Sequence, residues 1–266
     1  MSLMRNVALV SAATLLVSAA LLAQATAAPA GPPKPIDAVL VKDPKTLTPA
    51  EIQGLQKKLA DYANLARYAS ANAALGPAET KRVVFYGDSI TDAWGNGAAN
   101  KPTFFPGKPY LDRGISGQTT PQMLVRFQQD VVALKPAAVL ILAGTNDIAG
   151  NTGIESLEHI QDNFRSMVAI ADANHIKVIL ASVLPVDDYP WRRGLEPAGK
   201  IRTMNAWLQQ FCKEHGYTYL DYYSALTSPT GGMKPDLAKD GVHPTPAGYA
   251  MMQPLAQAAI DATIGK

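Results

Sequence analysis

Short apolar strands that alternate with helices constrain the fold of this chain most. Residues 137–143 are a continuous run of Ala, Val, Leu and Ile. Such a run is too short for a helix and is typical of a strand that is covered on both faces of a parallel sheet. Four other segments have strand character, at residues 82–86, 110–115, 177–183 and 217–220. Five strands separated by helices predict an α/β fold, a parallel sheet with helices on both faces.

Helix starts are marked by threonine and proline. Thr48-Pro49-Ala50-Glu51 is a capping box with proline at the first helical position, and it predicts one helix over residues 49–74 that Gly76-Pro77 ends. Thr119-Thr120-Pro121-Gln122 and Thr245-Pro246 begin later helices in the same way. Apolar stripes at helical spacing predict further helices, one beginning near Leu157 and one over residues 198–215.

The first 27 residues are typical of a secretion signal. Arg5 is their only charge, residues 7–22 are sixteen positions without a charge, and Ala25-Thr26-Ala27 is a small-x-small cleavage pattern. A membrane span needs about 20 apolar residues, so this run is short for a permanent anchor. We expect cleavage near Ala27 and a periplasmic or extracellular protein with no stable membrane span. The alternative is an uncleaved signal anchor.

Charge and cysteine content exclude other classes of protein. The formal net charge is +2, or +1 without the leader, and no run of Lys or Arg occurs. A nucleic-acid binder needs a concentrated basic face, so no nucleic-acid partner is expected. Cys212 is the only cysteine, which precludes an intramolecular disulfide. It lies beside a helical apolar stripe, which favours a core residue over a catalytic thiol.

Polar segments follow the predicted strands. They are Gly87-Asp88-Ser89-Ile90-Thr91, Gly114-Ile115-Ser116-Gly117-Gln118 and Gly144-Thr145-Asn146-Asp147, and a fourth, Asp240-Gly241-Val242-His243-Pro244, precedes the last helix. Any one of them is ordinary turn chemistry. Ligands of open α/β sheets bind beyond the carboxyl ends of the strands, so four such segments together predict a functional site there.

These segments contain the groups that acyl transfer requires. Ser89 is the candidate nucleophile, His243 the base that activates it, and Asp240 the group that orients the imidazole. The backbone N–H groups of Ser89 and Gly117, together with the side-chain amide of Asn146, are candidates for an oxyanion hole.

The segments GDSIT, GISGQTT, GTND and DGVHP resemble the four conserved blocks of the SGNH hydrolases, also called the GDSL esterase/lipase family, and are most similar to secreted bacterial members akin to the platelet-activating-factor acetylhydrolase group. The resemblance implies a flavodoxin-like three-layer α/β/α sandwich with a five-stranded parallel sheet. It also implies a serine esterase that uses the residues just named and neither a metal nor another cofactor. Together with the leader and the predicted first helix, it divides the chain into a signal peptide (1–27), an N-terminal extension with one helix (28–78) and a hydrolase domain (79–266).

Other chemistries fit the sequence less well. An α/β-hydrolase needs G-x-S-x-G, which Ser89 lacks, and the glycines near residue 90 do not form the dinucleotide pattern G-x-G-x-x-G. A metallophosphoesterase would need more histidines than the four present. A non-catalytic carbohydrate-binding module would be expected to have lost a catalytic position, and none is lost.

The substrate is less constrained than the chemistry. Trp94, Phe105, Trp191 and Arg192 are candidate substrate contacts, although these aromatic residues could equally fix long loops to the body of the protein. We expect Asp88 and Asp147 to cap helices rather than to transfer protons. The substrate is expected to be a small-molecule, glycan or lipid ester with a short, acetyl-like acyl group. Lysophospholipids and thioesters remain alternatives.

Overall fold

The structure is a computed structural model that describes residues 42–97, 100–153 and 155–266. The predicted leader, residues 1–27, lies outside the described residues. So does the beginning of the predicted N-terminal extension.

A five-stranded parallel sheet forms the centre of the described chain. Its strands are β1 (Val83–Gly87), β2 (Tyr110–Gly114), β3 (Ala138–Leu142), β4 (Lys177–Ala181) and β5 (Thr218–Leu220), in the order β2-β1-β3-β4-β5. This confirms the predicted fold class. At the end of β1, Gly87 pairs with Gly114 on one side and with Leu142 on the other. The segments that leave β1, β2 and β3 therefore start side by side at the carboxyl-terminal edge of the sheet. From β1, the chain continues to β2 on one side and later to β3 on the other, and ligands of such sheets bind at this point.

Nine helices surround or precede the sheet in the described part of the chain. They are α1 (Pro49–Ala60), α2 (Ala66–Ala73), α3 (Ser89–Gly95), α4 (Thr120–Asp130), α5 (Thr145–Ile148), α6 (Leu157–Ala173), α7 (Ala198–His215), α8 (Tyr223–Leu226) and α9 (Pro246–Ile264). The predicted starts at Thr119 and Thr245 are confirmed as N-caps of α4 and α9.

Two hydrophobic cores lie on the two faces of the sheet, because neighbouring residues of a strand point to opposite faces. Val84 and Tyr86 of β1 belong to the core that contains residues of α4, α6 and α7. Val83 and Phe85 belong to the core that contains residues of α3 and α9. All five residues of β1 and all five of β3 are buried, which explains their continuous apolar sequence.

The predicted helix over residues 49–74 is wrong, because the structure has two helices there. α1 ends at Ala60, and Asp61 accepts hydrogen bonds through its carboxylate from the backbone N–H groups of Leu65 (2.7 Å) and Ala66 (2.9 Å). Between them, Asn64 has φ 54°, in the left-handed region. A side chain that caps the next helix competes with helix continuation, and the apolar periodicity does not reveal this.

None of the helices in the described ranges is both long and apolar enough to cross a bilayer. Within the same ranges, no cluster of three or more His, Cys, Asp or Glu side chains could bind a metal ion.

Candidate active site

Ser89 is the first residue of α3, immediately after β1. Asp88 is the N-cap of this helix, and its carboxylate accepts a hydrogen bond from the backbone N–H of Ile90 at 2.9 Å. The turn leaves no room for a side chain at residue 87, because a Cβ on Gly87 would lie 2.1 Å from Oγ1 of Thr91. The N–H groups in a first helical turn have no acceptor within the helix, so the N–H of Ser89 can donate to an anion.

His243 and Asp240 form a hydrogen-bonded relay with Ser89. Oγ of Ser89 lies 3.0 Å from Nε2 of His243, and Nδ1 of His243 lies 2.8 Å from Oδ2 of Asp240. The other carboxylate oxygen of Asp240 accepts the N–H groups of Val242 (3.1 Å) and His243 (2.9 Å). Partial burial raises the pKa of Asp240, but these hydrogen bonds outweigh it and hold the pKa below its ordinary value. The carboxylate therefore stays ionised and can orient the imidazole.

Gly117 lies in a tight turn after β2. The turn is closed by a hydrogen bond of 3.2 Å from the N–H of Gln118 to the carbonyl of Ile115. Gly117 has φ 80°, and a Cβ built on it meets no atom within 4 Å. The glycine is therefore required by its left-handed backbone conformation, which L side chains rarely adopt, rather than by crowding.

The Asn146 amide follows β3 and is almost completely buried, with 2% of the residue exposed. Its Nδ2 donates to the carbonyl of Gln118 at 2.9 Å, and its Oδ1 accepts from Nδ2 of Asn151 at 2.8 Å. These two bonds fix which way the amide points. Because an amide nitrogen carries two hydrogens, one N–H of Asn146 remains to serve as an oxyanion donor.

Asp88 and Asp147 are buried carboxyls beside this site. Burial raises the pKa of Asp88 to about 7 and that of Asp147 to about 6. We expected Asp88 and Asp147 to cap helices, and the structure confirms this for Asp88. Asp147 caps a helix other than its own, because its Oδ1 accepts the N–H (2.9 Å) and the Oγ1–H (2.5 Å) of Thr120 in the first turn of α4.

The substitution Asp147→Asn is expected to change how stability depends on pH. Below pH 4 the carboxyl is protonated in both the folded and the unfolded chain. Between pH 4 and 6 only the folded chain keeps the proton, so the wild type loses stability relative to the variant as the pH rises. A pKa raised from 3.8 to about 6 corresponds to about 3 kcal/mol. Urea unfolding at several pH values measures the difference between the two proteins.

Asp236→Asn is the matched control for this measurement, because it removes one carboxylate from an exposed position. A difference in unfolding free energy between wild type and Asp147→Asn that stayed constant from pH 4 to pH 7 would contradict the raised pKa.

Two of the predicted substrate contacts lie in the core instead. Trp94 is 2% and Phe105 4% exposed, and both pack around Phe85, at ring-centroid distances of 5.8 and 5.0 Å. Phe104 and Tyr110 join the same aromatic cluster. Side chains so deeply buried have almost no surface to offer a substrate. The sequence did not show this, because aromatic residues are common both in cores and at binding sites.

Trp191 is the candidate substrate contact that reaches the site. It is 43% exposed, and its ring centroid lies 6.2 Å from that of His243. Its Nε1 donates to Oδ1 of Asn151 at 3.2 Å. Arg192, in contrast, donates through Nη1 to the carbonyls of Ala149 (2.5 Å) and Gly150 (2.9 Å). The guanidinium therefore fixes the loop after α5, and its assignment as a substrate contact stays a prediction.

Two residues of the site were not predicted from the sequence. Asn151 links Trp191 to Asn146, and its Nδ2 also lies 3.4 Å from the carbonyl of Gly117. Gln118 supplies the carbonyl that orients Asn146. Asn151 lies outside the motifs, and although Gln118 lies inside one, a backbone carbonyl carries no sequence signal.

Comparisons with known proteins identify the family of this chain. A family model described as the GDSL-like lipase/acylhydrolase family matches residues 85–251. A GDSL-like lipase from Bacteroides thetaiotaomicron is 44% identical, with a TM-score of 0.72 over 76% of this chain and 98% of that chain. An acetylxylan esterase from Geobacillus stearothermophilus is 24% identical over 203 residues, 65% of this chain and 90% of that protein.

A third relative shares the fold. A protein of Streptococcus pneumonia assigned as a platelet activating factor is 20% identical, with a TM-score of 0.66 over 80% of this chain and all of that chain. The family match covers more than half of the sequence and includes all four motifs in full, with Asp240 and His243 among their residues. The chain therefore belongs to the GDSL-like lipase/acylhydrolase family and is an ester-hydrolysing enzyme.

Proposed function

We propose that this enzyme is a secreted serine esterase that removes short acyl groups, acetyl above all, through an acyl-Ser89 intermediate. The observation that carries the proposal is the relay in which Ser89, His243 and Asp240 are joined by contacts of 3.0 and 2.8 Å. The His243 side chain is 28% exposed. A substrate can therefore approach His243 and the Ser89 hydroxyl that His243 activates.

The reaction proceeds in two halves. In the first, Oγ of Ser89 attacks the ester carbonyl while Nε2 of His243 takes its proton, and the carboxylate of Asp240 stabilises the imidazolium. The oxyanion is held by the N–H groups of Ser89 and Gly117 and by Nδ2 of Asn146. Collapse of the tetrahedral intermediate expels the alcohol, which receives the proton from His243. In the second half, His243 deprotonates a water molecule that attacks the acyl-serine. The bond from the acyl carbon to Oγ of Ser89 then breaks, Oγ takes the proton back from His243, and the carboxylic acid leaves.

The packing of the aromatic cluster supports a short acyl group. Trp94 and Phe105 belong to the segment that follows the nucleophile, and both are buried and contact each other in the core. Because their surface is already buried there, they cannot line a long apolar channel. An acetyl group needs no such channel.

A carbohydrate ester is the substrate class that Trp191 supports. Indole faces that remain exposed beside a catalytic site can pack against the C–H surface of a sugar ring, and Trp191 is such a residue. The Geobacillus stearothermophilus relative is an acetylxylan esterase, which adds support for an O-acetylated glycan.

Export is part of the proposal and depends on the leader. Arg5, the apolar residues 7–22 and the Ala25-Thr26-Ala27 pattern support cleavage near Ala27 and a periplasmic or extracellular enzyme. N-terminal sequencing of the protein recovered outside the cytoplasm tests this, and a chain that still began at Met1 would contradict it.

The proposed substrate class is tested by one set of rate measurements. We expect kcat/KM for p-nitrophenyl esters to fall steadily from acetate to octanoate, and acetylated xylan to release acetate. Faster turnover of a lysophospholipid or of an acyl thioester than of acetylated xylan would favour the corresponding alternative substrate. No turnover of any ester by correctly folded enzyme would contradict the proposal.

Trp191→Ala is expected to raise KM for an acetylated xylooligosaccharide about fivefold, because loss of a sugar-packing face costs about 1 kcal/mol. KM for p-nitrophenyl acetate, which has no sugar ring, should change less than twofold. Trp191→Phe is the matched control, since it keeps a smaller aromatic face and removes the N–H that bonds Asn151. An equal loss of kcat in both variants, without a change in KM, would show that Trp191 acts through Asn151 instead.

A further inference from the structure

The segment that precedes the hydrolase motifs is hydrogen-bonded to the loop and helix that follow β2. Three backbone carbonyls of this N-terminal segment (residues 61–73) each accept a hydrogen bond of 2.7 Å from a glutamine side chain. Gln118 donates to Ala63, Gln122 to Tyr62 and Gln129 to Leu65. The segment lies outside residues 85–251, which the family model matches.

Gln118 differs from the other two glutamines because it is buried and held from two sides. Only 3% of the residue is exposed. Its Nε2 donates to the carbonyl of Ala63, and its Oε1 accepts from Nε of Arg126 at 2.5 Å. One side of the Gln118 side chain is thus fixed by the hydrolase domain and the other by the N-terminal segment.

Arg126 is a rigid anchor for this arrangement. It is completely buried and paired with Asp130 at 3.2 Å. Its guanidinium also donates to the carbonyls of Gly87 (3.0 Å) and Arg113 (2.8 Å), so it joins the ends of β1 and β2. A buried cation with this many partners cannot move without breaking several charge-assisted hydrogen bonds.

The backbone of Gln118 adjoins two of the donors of the proposed oxyanion hole, Gly117 and Asn146. Its carbonyl accepts Nδ2 of Asn146 at 2.9 Å, and its peptide follows Gly117 directly. A shift of Gln118 would therefore move the Gly117 N–H and rotate the Asn146 amide together. Since donors must lie within about 0.5 Å of the productive geometry, such a shift would affect the reaction rate.

We propose that the N-terminal segment positions the oxyanion hole through Gln118, a positioning residue that joins Ala63 to Asn146. This inference rests on the proposed function for its effect on catalysis. The segment thereby gains a role in the reaction although it contributes no group that touches the substrate.

Gln118→Glu isolates the contact with Ala63. A carboxylate has nearly the shape of the glutamine amide and still accepts from Arg126, but it cannot donate to the carbonyl of Ala63 and repels it. Gln118→Met removes both contacts at similar volume. Gln129→Met is the matched control, because it removes an equivalent hydrogen bond to the N-terminal segment at Leu65 without touching Asn146 or Gly117.

We expect both Gln118 variants to lower kcat for p-nitrophenyl acetate about tenfold with KM changed less than twofold. Gln129→Met should keep kcat within twofold of the wild type. In an Asn146→Ala background, Gln118→Glu should lower kcat by about twofold only, because much of its effect acts through the amide already removed. Equal kcat values for Gln118→Glu and Gln129→Met, at equal thermal stability, would overturn the proposal.

A second measurement does not require activity. Hydrogen exchange of the Asn146 side-chain amide, followed by 15N NMR and assigned with Asn146→Ala, should be about tenfold faster in Gln118→Glu and unchanged in Gln129→Met. An enzyme that turned over no ester but showed this difference would refute the proposed function and support the positioning role. Unchanged exchange in Gln118→Glu would refute the positioning role alone.

Discussion

Replacing Ser89 by alanine is expected to lower kcat for p-nitrophenyl acetate by about 10⁵-fold or more. We propose the hydroxyl as the nucleophile of the first half-reaction, because Nε2 of His243 lies 3.0 Å from it. What remains in the variant is attack by water, helped by the oxyanion donors and by substrate binding. KM should change little, since the substitution removes one oxygen atom and leaves the surrounding structure intact. Steady-state kinetics with far-UV circular dichroism as the folding check measures the effect.

Ser116→Ala is the control for this prediction. Ser116 is an exposed serine next to Gly117, and its hydroxyl donates to Asp92 at 2.7 Å rather than to a histidine. We expect its kcat to stay within about threefold of the wild type. A fluorophosphonate probe should add its mass to the wild type and to Ser116→Ala but not to Ser89→Ala. Turnover by folded Ser89→Ala within tenfold of the wild type would refute the acyl-serine mechanism.

Replacing Asn146 by alanine is expected to lower kcat by about 10²-fold to 10³-fold, or about 3–4 kcal/mol of transition-state stabilisation. The amide is prepared for the oxyanion, because Gln118 and Asn151 fix its orientation at 2.9 and 2.8 Å before any substrate binds. Charge develops on the carbonyl oxygen only in the transition state, so KM should change much less than kcat.

Asn163→Ala is a matched control for the loss of an asparagine amide. Nδ2 of Asn163 donates to Oγ1 of Thr120 at 3.0 Å, so its loss should affect stability and leave kcat within about twofold. Asn146→Ala with a kcat within threefold of the wild type, or with its whole effect on KM, would exclude the amide as an oxyanion donor.

The fold was largely predictable because its signals are local. A parallel sheet covered on both faces requires apolar side chains at every position of its central strands, as in β3, and capped helices show their first residues in sequence, as at Thr119 and Thr245. The helix break at residues 61–65 was not predictable in this way. It depends on one carboxylate that caps the next helix rather than extending the first.

The site was predictable to a lesser degree. The residue types and their order, after three strands and before the last helix, predict Ser89, Gly117, Asn146, Asp240 and His243 as site residues. The same reasoning placed Trp94 and Phe105 at the substrate, whereas the structure places both in the core. An aromatic residue has the same sequence pattern whether its ring points into the core or towards solvent. Phe105 points into the core because it packs against Phe85 and Tyr110.

The sequence by itself determined which groups we propose for catalysis: a serine, a histidine and an aspartate, with glycine and asparagine at strand ends where a parallel sheet gathers them. Only the tertiary structure decided the distances, because Ser89 and His243 are 154 positions apart and their contact depends on how α9 and the loop before it pack on the sheet. It also decided that Gln118 joins Ala63 to Asn146. That connection uses the backbone carbonyls of Ala63 and Gln118. Because every residue has a backbone carbonyl, only the packing of the chain decides which carbonyl accepts which side chain.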